Sequence, residues 1–84
     1  MKWIVAVETA PARRRSLTRR WAILTKDGAV TLGNVAWFPA WRRYTFYPNL
    51  STIYEADCLR DLADFCSEQT LLRREEKAAE KAKS

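Results

Sequence analysis

Eighty-four residues with a formal net charge of +5 make one small basic domain, because chains divide only at several times this length. A domain this size buries only ~60–65% of its unfolded surface, so its core must be dense in large side chains. With no histidine and two cysteines it lacks the commonest general base and a four-ligand zinc set, and its five-residue apolar run Trp3 to Val7 falls short of the ~7 to 15 residues of a signal core or the ~18 of a membrane span.

Residues 3–8, Trp-Ile-Val-Ala-Val-Glu, form a β-prone run and predict a first strand. Ala10-Pro11-Ala12 ends it. Residues 13–20 follow as a loop or long hairpin arm, expected to be solvated and mobile because Arg13, Arg14, Arg15, Arg19 and Arg20 would repel one another in tight packing. Alternation from Trp21 to Thr25 gives a second strand, and Lys26-Asp27-Gly28 predicts a tight hairpin through the positive φ values that Asp-Gly supplies. A third strand runs from Ala29 to Phe38. Its apolar residues are even at Val30 and Leu32 but odd at Val35 and Trp37, so a β-bulge is expected near Gly33-Asn34.

The stretch 37–48 holds six of the ten aromatic residues. Pro39-Ala40 is expected to turn the chain and Trp41 to begin the next strand, with residues 42–47 alternating as its body. Thr52-Ile53-Tyr54 is short enough to pair only briefly. Residues 57 to about 72 show helical periodicity, with Cys58, Leu59, Leu62, Ala63, Phe65, Cys66 and Leu72 on one stripe. Glu55, Asp57 and Asp61 bring negative charge to the positive end of its dipole. Strands first and helix last predict an α+β fold: an antiparallel sheet of three to five strands with one long C-terminal helix packed on one face. Residues 1–72 then form the domain, and 73–84 a charged, solvated helical extension or frayed tail.

Enzymatic readings find little support. Asp57, Asp61 and Asp64 can share a helix face, but without a second cluster they fit a solvated face that charges the helix start. Cys58 and Cys66, eight residues apart on one helix, are separated by ~12 Å, too far for a disulfide, and fit reduced, buried thiols of a cytoplasmic protein. Gly28 and Gly33 are the only glycines, and neither opens a helix as a phosphate loop would. No catalytic residue, metal or cofactor is expected.

A binding surface has more behind it. Residues 1–50 carry nine Lys/Arg against Glu8 and Asp27, whereas residues 51–84 carry six against eight acidic residues, so the sheet half holds the positive field that steers anionic partners. If Tyr44 and Phe46 face the helix, then Arg43, Tyr47 and one of Trp37 or Phe38 face away. Trp41, Arg42, Arg43 and Tyr47, with the arginines of the arm, then border the uncovered face. Such a set suits a protein hot spot, and equally a stacking platform for single-stranded nucleic acid. The alternative is that the aromatics seal a two-sided core and the arginines keep it soluble.

Leu32-Gly33, Val35, Trp37-Phe38, Trp41-Arg42, Tyr44, Phe46 and Pro48, followed by Thr52, Tyr54 and Cys58-Leu59-Arg60-Asp61-Leu62-Ala63-Asp64-Phe65-Cys66, resemble a group of small, mostly uncharacterised phage and prophage proteins. Those proteins pair a W-F-x-x-W-R-x-Y-x-F-x-P hairpin with a C-L-R-D-[IL]-A-D-F helix. The resemblance spans residues 21 to about 67 and transfers no catalytic residue. It implies a phage context in a bacterial cytoplasm, and a non-catalytic protein that binds host or defence machinery, including protein–nucleic-acid complexes, in the manner of anti-CRISPR proteins. Direct nucleic-acid binding is the second expectation. A structural or homo-oligomeric phage protein is the third. No membrane partner is implied, and the sequence sets no oligomeric state.

Overall fold

The computed structural model describes residues 2–9 and 18–83, with side chains to residue 79. Four strands, β1 (Ile4–Thr9), β2 (Arg20–Thr25), β3 (Thr31–Phe38) and β4 (Arg43–Pro48), precede one helix, α1 (Ala56–Lys83). Every neighbouring pair is antiparallel and the strand order is β1-β2-β3-β4, so the sheet is a simple meander. This is the α+β architecture the sequence predicts. Thr52-Ile53-Tyr54 adds no strand: Ile53 is 91% exposed, and Tyr54 instead donates its hydroxyl to the Leu32 carbonyl at 2.8 Å and sets its ring edge-on to Phe46.

Period-two alternation decides which side chains are buried. Ile4 on β1, Trp21 and Ile23 on β2, Leu32 and Val35 on β3 and Tyr44 on β4 join Leu62 and Phe65 of the helix in one core, with Ala6, Trp37, Phe46, Tyr54, Cys58 and Cys66 packed around it. The expected bulge is present. Ile23 pairs with Gly33 and Leu24 with Thr31, so Leu32 is the extra residue and lets both Leu32 and Val35 reach the core. At the β2–β3 turn Gly28 takes φ +76, and Asp27 accepts the Thr25 hydroxyl at 2.6 Å and the Ala29 N–H at 3.0 Å. Those two donors hold its carboxyl below the usual aspartate value.

The helix starts one residue earlier than its periodicity suggests because Glu55 caps it. The Glu55 carboxylate accepts the Cys58 N–H at 2.7 Å while its carbonyl accepts the Leu59 N–H at 3.0 Å. Asp61 is no idle solvated carboxylate. One oxygen accepts the N–H groups of Lys2 (3.0 Å) and Trp3 (2.8 Å), tying the helix to the approach of β1. Further along, the Thr70 hydroxyl accepts the Tyr44 N–H at 3.0 Å and donates to the Cys66 carbonyl, and Arg73 lies 5.1 Å over the Trp37 ring. The helix therefore crosses the sheet from the start of β1 to β4.

That oblique path corrects the predicted stripe. Leu62, Phe65 and Thr70 are buried and Cys58, Asp61, Cys66, Gln69 and Arg73 half-buried, whereas Leu59, Ala63 and Leu72 are exposed. The two cysteines are free thiols at the margin of the core, not fully buried ones. Partial burial pushes both thiols up, with Glu55 and Asp61 adding to the effect at Cys58.

Candidate functional site: the open face of the sheet

Opposed residues in a ladder share a face, so the registers define what the uncovered side presents. One row is Val7, Ala22, Asn34 and Tyr47, and the next is Thr9, Arg20, Ala36 and Thr45. Val5 and Leu24 flank them on one side, Phe38 and Arg43 on the other. Ala22 and Ala36 are the small residues of this face. A depression of about 420 Å³ lies beside Ala36, lined also by Thr9, Arg20, Asn34, Trp37 and Tyr47.

Arg20, Arg43 and Tyr47 are exposed here, as alternation predicts, and Phe38 is the aromatic that faces outward while Trp37 turns to Tyr44 and the helix side. Trp41 is 62% exposed, packs on Phe38 with ring centroids 4.6 Å apart, and lines a separate depression at the β4 edge with Arg43, Tyr44, Thr45, Phe46 and Cys66. Neither Trp41 nor Arg42 is in a strand, which corrects the expected start of β4. The Trp41 and Arg42 N–H groups both reach the Phe38 carbonyl, at 3.2 and 2.9 Å, and Arg42 turns the chain with φ 53. A side-chain-bearing residue there costs ~1–2 kcal/mol relative to ordinary backbone, whereas glycine is free of the penalty. Arg42→Gly should therefore raise the thermal midpoint by a few degrees, and a fall of similar size would show that the Arg42 side chain stabilises the turn.

The remaining arginines divide. Arg19 donates its backbone N–H to the Tyr44 hydroxyl at 3.1 Å on the helix side, and its guanidinium pairs with Glu8 at 3.3 Å, so it does not join the open face. Arg20 belongs to β2 rather than to an arm. Arg13, Arg14 and Arg15 lie outside the described residues. On the helix Arg60 pairs with Asp57 at 2.7 Å. Among the described residues no three His, Cys, Asp or Glu side chains converge as a metal site would require, and no helix is long and apolar enough to cross a membrane.

Sequence reasoning missed the outward half of β1. Val5 and Val7 are 40% and 49% exposed, and the β-prone run over residues 3–8 does not by itself say which side faces outward. The usable signal was the small pair Ala22 and Ala36, which alternation places on one face. Their place across from one another's neighbours follows only from the register.

Among curated proteins the chain is similar to an uncharacterised 9.3 kDa protein of Acholeplasma phage L2, 30% identical over 46 residues, covering 55% of this chain and 59% of that protein. The chain thus spans about three-fifths of the length of that relative. No family model matches the chain, and no solved structure matches it. The similarity agrees with the phage character that the sequence resemblance implies.

Proposed function

We propose that the chain is a non-catalytic phage accessory protein that occupies a surface of bacterial host or defence machinery through the open face of its sheet, as an anti-CRISPR-like inhibitor or modulator. One observation carries this reading: the helix covers one side of the sheet, and the other presents Arg20, Arg43 and Tyr47 by register, with Arg20 and Tyr47 bordering a depression that includes Ala36. Tyrosine, tryptophan and arginine are the residues that most often dominate protein interfaces, and a depression bordered by Arg20 and Tyr47 lets a partner's side chain sit down. The similarity to a phage protein supports the setting. The test is capture of a partner from bacterial lysate by tagged protein. In the combined variant Arg20→Glu, Arg43→Glu, Tyr47→Ala, capture should fall at least about tenfold, equivalent to ~1.4 kcal/mol, with the thermal midpoint nearly unchanged. Undiminished capture would remove the open face from consideration.

A second reading, binding of single-stranded nucleic acid, is favoured by the exposed Tyr47 ring on the same face as two arginines. If Arg20 and Arg43 each meet a phosphate, affinity should fall with salt at a log–log slope of about −1.4 from these two alone. Binding that ignores salt would exclude it.

A further inference from the structure

β4 is the last strand of the sheet, and its outer edge is met by the helix rather than by another strand. Thr70 marks the contact, since its hydroxyl accepts the Tyr44 N–H at 3.0 Å and donates to the Cys66 carbonyl. A depression of about 340 Å³ opens beside it, lined by Arg43 and Tyr44 of β4 and by Ala63, Ser67, Leu71 and Arg74 of the helix. It adjoins the depression of about 520 Å³ that Trp41 and Phe46 line, because Arg43, Tyr44 and Cys66 belong to both. Together they make one groove along the edge, which shares no lining residue with the depression bordered by Arg20 and Tyr47.

The charge in this groove is of one sign. No acidic residue lines either depression, whereas Arg43 and Arg74 both line the smaller one. Both arginines are exposed, and among the described residues neither guanidinium has a hydrogen bond or an ion pair, in contrast to Arg19 on Glu8 and Arg60 on Asp57. A planar guanidinium matches a carboxylate with two parallel N–H bonds, and one without an internal partner gives up only water to make them. The exposed Ser67 hydroxyl adds a third donor at the same place.

The other half of the groove is walled by Trp41 and Phe46 and has few polar groups to spare. The Tyr44 hydroxyl already accepts the Arg19 N–H, and the Thr45 hydroxyl donates to the Arg43 carbonyl. Such a wall suits an apolar side chain better than the hydrogen-bonding edge of a nucleobase.

We infer that the groove takes an acidic segment of a protein, with one carboxylate held by Arg43, Arg74 and Ser67 and a large apolar side chain seated against Trp41 and Phe46. Arg43 stands in both halves, so the acidic and the apolar residue are neighbours in the segment. The net charge of +5 steers such a segment toward the chain. That the partner is a protein rests on the proposed function, and the groove gives that partner a second contact, around the edge of β4 from the open face.

The test uses the whole chain and synthetic peptides, and needs no host partner. Capped Gly-Glu-Leu-Glu-Gly, titrated in and followed by amide NMR, should shift the Arg43, Phe46 and Ser67 amides and the Trp41 indole N–H with a dissociation constant on the order of 1 mM. Its glutamine counterpart, Gly-Gln-Leu-Gln-Gly, should bind at least about tenfold more weakly. Arg74→Glu, at an exposed helix position, should weaken the acidic peptide by a similar factor with an unchanged far-UV spectrum, and Arg74→Lys by less. Trp41→Ala should reduce it to the affinity of Gly-Glu-Gly-Glu-Gly, which lacks the apolar side chain. Arg20→Glu and Tyr47→Ala should leave peptide binding within about twofold, so the groove and the open face can each fail without the other. No shift up to about 10 mM peptide, or equal binding of the glutamine peptide, would overturn the assignment. So would a thymidine oligonucleotide that shifts the groove amides at lower concentration than the acidic peptide does, since the occupant would then be nucleic acid.

Discussion

Gly33→Ala should cost about 2–3 kcal/mol and lower the thermal midpoint by roughly 10–20 °C, the larger cost of the two glycine substitutions this chain allows. Gly33 needs no unusual backbone angle. Its requirement is space: a Cβ there would run into the Tyr47 carbonyl oxygen and would lie 2.9 Å from both the Phe46 ring and the Pro48 Cα. Two of those three neighbours are backbone and cannot rotate aside, so β4 would have to move off β3. Gly28 is the internal control, with φ +76 and nothing within 4 Å of a Cβ. Gly28→Ala should cost only the ~1–2 kcal/mol of the left-handed conformation. Thermal melts of the two variants side by side decide the matter, and a Gly33→Ala protein as stable as Gly28→Ala would mean that the strands do not approach as described.

Trp21→Ala should do more damage still, about 3–5 kcal/mol. At ~0.05–0.15 kcal/mol per residue a chain of 84 residues has on the order of 4–13 kcal/mol in total, so this change leaves a large fraction of molecules unfolded or close to it. The reason is position. The Trp21 ring meets Tyr44 edge-on at 5.2 Å and Phe65 at 5.1 Å, linking β2, β4 and the helix through one side chain. Trp21→Phe keeps part of those edge contacts and should cost markedly less. Urea unfolding followed by circular dichroism distinguishes the two, and equal losses would show that the ring edges contribute nothing beyond volume.

How far the fold was legible depends on whether the signal was local. Asp27-Gly28 fixed a hairpin because the turn needs those residues, and the change of phase between Leu32 and Val35 announced a bulge that the register places at Leu32. Alternation across Tyr44 to Tyr47 sorted inward from outward residues correctly for the same reason. The turn at residues 39–42 was misread, because Arg42 carries no sign of a left-handed conformation that glycine or asparagine would have advertised. The helix stripe was misjudged at Leu59, Ala63 and Leu72, since periodicity gives a face but not the angle at which a helix crosses a sheet. Asp61 as acceptor for Lys2 and Trp3 was invisible, because nothing along the chain links positions so far apart. The candidate surface was legible in its types of residue and not in its depression, which exists only once the strands are in register.

Because strand order follows chain order, each hairpin can zip from its own turn before any distant segment arrives, which places the sheet among low-contact-order topologies that fold quickly. The exception is the grip of Asp61 on Lys2 and Trp3, which closes most of the chain into a loop and gives nothing back until the helix has docked. Docking of the helix is therefore the late, cooperative event. Substitutions at Asp61 or Phe65 should show mainly as faster unfolding, and those in the β2–β3 hairpin as slower folding.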